Sequence, residues 1–261
     1  MKSKFVAVVI GFFAVAVLHA AEPSPPAQDE VVARVFDKKI YRKEIEPPEE
    51  QRKVDEKLFP NQKWENLVVQ YRNDNLASLI WEPLKEKFVQ EQKIQVTEKD
   101  LDNFADAMMA GQPQIKEMDE KLIKDAEDKL KQEGLTPEKR AELEQSIKAS
   151  KESLAVSDDD QRKGYRMTGK SMIEAWKINQ ALYKIYGGRV IFQQAGIEPL
   201  DAYKKFLEEH EKKGDFEILD KTLREEFWKY YTTMHTEVPK KQVDFRTPWW
   251  TKMKKPQEGK P

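Results

Sequence analysis

Residues 31–45, VVARVFDKKIYRKEI, carry a period of two. Val31, Ala33 and Val35 alternate with Val32, Arg34 and Phe36, as in a half-buried strand. Asp37-Lys38 supplies a reversal, and Ile40-Tyr41 a short return strand. This predicts an N-terminal β-hairpin. Two strands alone are marginal in water, so the hairpin is expected to lie on helices.

After residue 60 the period changes to that of a helix. Over residues 61–93, Trp64, Leu67, Val68, Tyr71, Leu76, Leu79, Ile80, Leu84 and Phe88 mark one apolar face. Pro83 inside this pattern predicts a kink or split near Trp81. Thr97 followed by Asp100 reads as the cap of the next helix, DLDNFADAMM. Residues 115–160 are dense in charge and carry only thin apolar seams. These are Ile115, Met118, Leu122, Ala126 and Leu130, then Leu143, Ile147 and Leu154. Between the seams, Gly134, Thr136 and Pro137 give a stop, a cap and a first-turn proline. That is a charged helical hairpin, ended by Ser157-Asp158-Asp159-Asp160. Residues 165–196 are apolar on two sides: Met172, Ile173, Trp176, Tyr183, Tyr186 and Val190 on one, Ile178, Leu182, Ile185 and Phe192 on the other. Such a helix is expected at the centre of a bundle, with Gly187-Gly188 allowing a close approach or a kink. Two further helices follow. Pro199 and Gly214 bound the first; Asp220 caps the second, which carries Leu223, Phe227, Tyr230, Tyr231 and Met234.

The pattern therefore predicts a mainly α protein: a multi-helix bundle with a small N-terminal β-hairpin and a projecting charged helical hairpin. The expected divisions are 1–21 a signal peptide, 22–30 a linker, 31–114 with 164–238 a helical domain, 115–163 the hairpin insertion, and 239–261 an irregular tail. The first division rests on Lys2 and Lys4, the apolar run FVAVVIGFFAVAVL, and small residues near Ala20 and Ala21. This is the form of a secretory leader rather than a membrane span. The periplasm is the expected compartment, with no stable membrane insertion once the leader is cut.

Composition narrows the chemistry. The formal net charge is -1, so no strong field favours nucleic acid. With no cysteine, the chain has no disulfide, thiolate metal site or thiol nucleophile. His210 and His235 are the histidines after the leader. Neither has a second ligand at metal spacing, and His210 reads as a solvated cation near a helix C-terminus. Neither a catalytic set nor a cofactor motif emerges, so no cofactor and no metal is expected. Six tryptophans, with Met108-Met109 ahead of AGQPQ, point instead to binding, since aromatic and methionine surfaces adapt to varied apolar partners. The candidate peptide-binding residues are Trp64, Tyr71, Met108, Met109, Trp176, Tyr183 and Phe192. Trp249-Trp250, in a segment that reads as irregular, are expected to dock into the protein's own groove.

VVARVFDKKIYRKEI, followed by NLASLIWEPLKEKFVQEQKIQVTEKDLDNF, resembles the N-terminal chaperone module of SurA-like and PrsA-like periplasmic foldases. The resemblance spans residues 31–110. It rests on the hairpin, Leu79-Ile80, Leu84 and the link Ile94-Gln95-Val96-Thr97. The family turn usually carries Asn-Gly where this chain has Asp37-Lys38, and Pro83 departs from the pattern. The resemblance implies a late helix, here 165–196, packing back on the N-terminal helices. It also implies holding of unfolded exported or outer-membrane polypeptides without ATP. The parvulin signature of that family is missing, so no isomerase activity is implied. A divergent peptidyl-prolyl isomerase remains the enzyme alternative, and a periplasmic scaffold or assembly factor the structural one. The charged hairpin reads as a solvated structural arm; a clamp that limits client access, or a homodimer contact, is the functional alternative.

Overall fold

A computed structural model describes residues 30–193 and 196–252. The expected leader and nearly all of the linker lie outside the described residues, as does the end of the tail. The elements run β1 (Val31–Val35), β2 (Lys38–Tyr41), α1 (Arg42–Ile45), α2 (Glu49–Leu58), α3 (Trp64–Glu91), α4 (Glu98–Leu130), α5 (Pro137–Ala155), α6 (Asp158–Tyr186), β3 (Ile191–Gln193), β4 (Gly196–Glu198), α7 (Leu200–Lys213), β5 (Phe216–Ile218) and α8 (Lys221–Thr232). Two 3-10 turns follow, Lys240–Gln242 and Trp249–Lys252. The protein is mainly helical, with the small N-terminal antiparallel hairpin that the sequence predicts.

The chain forms two compact units. Among the described residues, one joins 30–91 to 182–193 and 196–243, and the other joins 92–181 to 244–252. The first holds a three-stranded sheet of order β2-β1-β5. β5 lies antiparallel to β1, pairing Ala33 with Ile218 and Val35 with Phe216, so the free edge of the hairpin is covered. The turn is Phe36-Asp37 rather than Asp37-Lys38. Phe36 takes a left-handed φ of 49° and donates its N–H to the Asp215 carbonyl at 2.6 Å. A register shift between Val31 and Ala33 lets Val32, Ala33 and Val35 all be buried, which breaks the expected alternation.

Helix α3 packs on α1, β1 and α8. Its buried residues, Leu76, Ile80, Leu84 and Phe88, are spaced four apart on both sides of Pro83. The helix runs unbroken through the proline, so of the expected kink or split the split does not occur. The continuous buried stripe offsets the backbone hydrogen bond that proline removes. Phe206 of α7 meets Phe88 and Trp81 with ring centroids 5.3 and 5.9 Å apart. Gly214, with φ 77°, stops α7 as predicted, and the Asp220 carboxylate accepts from the Leu223 N–H to cap α8. Met234 lies past the end of α8 and is 94% exposed, so it is not part of that helix's inner face. Gly187 and Gly188 end α6 rather than bend it. Both have positive φ, and a Cβ on Gly188 would meet Asp201, whose carboxylate accepts from the Arg189 N–H. Val190 and Phe192 therefore lie outside the helix that the pattern assigned to them.

In the second unit, Thr97 and Asp100 form the expected capping box at the start of α4. Helix α4 continues through Gly111 and Pro113, so residues 114 and 115 lie inside it. Ser157 accepts from the Asp160 N–H, and the aspartates open α6 instead of ending a hairpin. Three carboxylates in a first turn suit the positive end of the helix dipole. Helices α4 and α5 pair closely across the loop at Gly134, with Thr136 capping α5 as expected. Ala126 and Ser150 are buried, whereas Ile115, Met118 and Leu122 are exposed. The seam that faces α5 runs through Asp119, Ile123, Ala126 and Leu130 at a 4-3-4 spacing that follows the pairing of two long helices, so it keeps Ala126 and Leu130 of the predicted seam and leaves out Ile115, Met118 and Leu122.

Candidate functional site

The strongest candidate is an aromatic crevice within the second unit, built on α4 and α6. Leu101, Phe104 and Met108 recur at helical spacing on α4, and Ile173 and Trp176 on α6. Their side chains meet around Phe104 and Ile173, each 1% exposed. Polar contacts hold the two helices together along the flank. Arg162 binds Asp102 and Asp106, and Arg166 binds Asp102 and Glu98. Lys177 Nζ donates to Asp100 at 2.7 Å and to the Gln95 carbonyl at 2.7 Å. Desolvation pushes the Asp100 carboxyl up, but Lys177 and Thr97 outweigh it and hold the carboxyl below its ordinary value. Exposed pairs of this kind contribute about 0.2–1 kcal/mol each, so the crevice owes its stability mainly to apolar burial.

Trp249 and Trp250 of the chain's own segment 244–252 pack into this crevice. Trp250 is 4% exposed and stands edge-on to Phe104 at 5.3 Å and to Trp176 at 5.7 Å. Trp249 meets Phe104 at 6.5 Å. Phe245 is also buried, and its carbonyl accepts from Gln180 Nε2 at 2.6 Å. The docking expected of Trp249-Trp250 thus takes place on Met108, Trp176 and their neighbours.

The predicted binding residues divide between the units. Met108 and Trp176 line the crevice, and Met109 lies beside Met108 on α4, half-buried. Trp64 and Tyr71 belong to α3 in the first unit, with ring centroids 6.2 Å apart. The Tyr71 hydroxyl donates to the buried Asp55 at 2.7 Å, so it serves as a strut between α2 and α3. Burial, reinforced by Asp55, pushes its pKa up to about 12. Tyr183 is half-buried on α6, and Phe192 on β3 is 50% exposed. Phe104 and Ile173 escaped the prediction as site residues. The spacing Leu101, Phe104, Ala105, Met108 was legible, but nothing local says that it faces Trp250.

A second cluster, also unpredicted, lies in the first unit. Tyr230 of α8 donates its hydroxyl to Glu198 of β4 at 2.8 Å and accepts from Gln193 of β3 at 2.7 Å. Desolvation pushes the Glu198 carboxyl above its ordinary value, against the lowering effects of Tyr230 and His235. Tyr203 and Tyr231 face the same carboxyl, and burial raises both phenols. A depression of about 80 Å³ lies elsewhere in this unit, lined by Arg42, Val69, Arg72 and residues of α8. None of the predicted residues lines it.

His210 is not the solvated cation expected. It is 6% exposed, its ring tilted against Phe206 with centroids 4.3 Å apart, and its Nδ1 lies 2.5 Å from Asp215. His210 stands one turn beyond Phe206 and Leu207 on the buried face of α7, which puts the ring in the core. Among the described residues, no group of His, Asp and Glu is placed to hold a metal ion, and no helix is long and apolar enough to cross a membrane. No protein-family model, curated protein or solved structure matches the chain.

Proposed function

We propose that the protein is an ATP-independent periplasmic chaperone that holds unfolded exported or outer-membrane polypeptides in an apolar crevice. One observation carries this reading: the α4–α6 crevice accommodates a short, irregular segment by burying its aromatic side chains. Recognition of this kind asks little of the bound sequence beyond apolar anchors. A buried tryptophan removes about 150–250 Å² from water. At about 25 cal/mol per Å², two such anchors supply about 8–12 kcal/mol. Association and ordering costs of about 4–15 kcal/mol offset most of this, so holding through them is weak and reversible and tightens only with further anchors.

Two further features support the reading. Methionines stand at the surface, with Met167 81% and Met118 64% exposed, and their flexible side chains suit unrelated partners. The leader-like start and the likeness of residues 31–110 to the SurA-like and PrsA-like module fit an exported client-holding protein. No step in this mechanism requires a nucleotide, metal or redox partner.

The test is suppression of aggregation. Urea-denatured outer-membrane protein is diluted into buffer with and without the chain, and light scattering is followed without nucleotide. Suppression near equimolar ratio is expected. Undiminished scattering contradicts the proposal, and catalysis of prolyl isomerisation in a proline-peptide assay favours the enzyme alternative.

A further inference from the structure

We infer that residues 244–252 form an intramolecular strap that competes with clients for the α4–α6 crevice. The inference rests on the proposed holding function and adds a regulatory element to it: the crevice is closed in the resting chain, and a client binds by displacing the strap.

Three observations lead there. First, the strap presents to the crevice what a client would present. Phe245 and Trp250 are 5% and 4% exposed, and Trp249 adds a second indole against Phe104. Second, its backbone turns are closed locally. The Asp244 carboxylate accepts from the Arg246 and Thr247 N–H groups at 2.9 and 3.2 Å, and the Thr251 N–H donates to the Pro248 carbonyl. Burial of Phe245 and Trp250 and the Gln180 bond to the Phe245 carbonyl help to seat the strap on the crevice. Third, α4 and α6 have joints of their own. The ion pairs of Arg162, Arg166 and Lys177, with the close approach of Gly169 to Phe104, link the helices without the strap. Releasing it uncovers Phe104, Ile173 and Trp176 while leaving the crevice walls connected.

A tethered competitor acts at millimolar effective concentration. It shuts out weak, single-anchor ligands and yields to long chains that bind through several anchors. The apparent affinity for a short peptide falls by the fraction of time the crevice stands open.

The test uses the full chain. A fluorescent synthetic peptide of residues 243–252 is titrated against the parent and against W249A/W250A, with circular dichroism and melting to establish folding. The loosened variant is expected to bind the peptide about tenfold or more tightly than the parent. Equal affinities overturn the inference. Independently, Thr251→Cys in the cysteine-free chain carries a spin label. Adding denatured client is expected to convert the label from an immobile to a mobile spectrum. A client that co-sediments with the protein while the label stays immobile overturns the strap but leaves the holding function standing. Absence of co-sedimentation sinks the holding function, and the peptide titration then decides the strap alone. If the double variant does not fold, the label measurement decides, and a label unmoved by excess peptide also overturns the strap.

Discussion

Gly169 of α6 lies against the ring of Phe104: a Cβ built there would stand 2.7 Å from the ring edge. The helices approach this closely only because position 169 has no side chain. Alanine would add helix propensity worth about 1 kcal/mol, but overpacking a fixed aromatic ring costs about 1–3 kcal/mol. Gly169→Ala is therefore expected to lower stability by up to about 2 kcal/mol in urea unfolding, with Phe104→Leu restoring part of the loss. A Gly169→Ala chain as stable as the parent would contradict this packing.

Arg42 ties the start of the chain to α8. Its guanidinium is 8% exposed and binds Glu30 and Asp220. Burial pushes the Asp220 carboxyl up, while the Leu223 N–H and Arg42 hold it below the usual carboxylate value. Arg42→Ala leaves that carboxylate half-buried without its cation and is expected to cost about 3 kcal/mol. A joint Arg42→Met, Asp220→Ser change, which keeps a helix cap, should cost less. Chemical unfolding of both variants checks the order.

Glu198 makes a prediction about pH. Its folded-state carboxyl holds its proton above the ordinary value of 4.5, chiefly because it is desolvated. The folded state thus binds the proton more tightly than the unfolded chain. That stability is full below pH 4.5 and is lost as pH rises through the folded-state value. Glu198→Gln keeps an acceptor for Tyr230 and removes the charge. It is expected to gain stability relative to the parent as pH rises above 4.5, because the variant has no buried carboxyl to ionise. Melting curves that change with pH in parallel for both proteins contradict the assignment.

Much of this was legible in the residues because the signals are local. Thr97 with Asp100, Thr136 with Pro137, Gly214 and Asp220 act through their own backbone neighbours, and each ends or starts a helix as expected. The misreadings have nonlocal causes. Pro83 looks like a break, yet the buried stripe of Leu76, Ile80, Leu84 and Phe88 carries α3 past it. β5 is three residues long, and only its pairing with β1 marks Phe216–Ile218 as a strand. The binding candidates were chosen by residue type, which finds Met108 and Trp176 but cannot tell them from the strut Tyr71. The Glu198 cluster gathers β3, β4, α7 and α8, and no window of sequence spans it.

The α4–α5 hairpin should loosen on its own. Ala126 is 5% exposed on the seam. Ala126→Asp places a carboxylate there, at an expected cost of about 2–4 kcal/mol to the pairing. Hydrogen exchange is expected to quicken over residues 120–155 and to stay unchanged in β1 and α7. Global loss of protection would show that the hairpin is integral to the whole chain.

The central claim is that unfolded chains bind on the face formed by Phe104, Met108 and Trp176. A photo-crosslinking amino acid at Met108 tests it most directly, with the same group at the exposed Lys148 on α5 as the reference. The account predicts that a denatured outer-membrane protein is captured from Met108 and hardly at all from Lys148. Equal capture from both positions, or none from Met108 while aggregation is still suppressed, would contradict it.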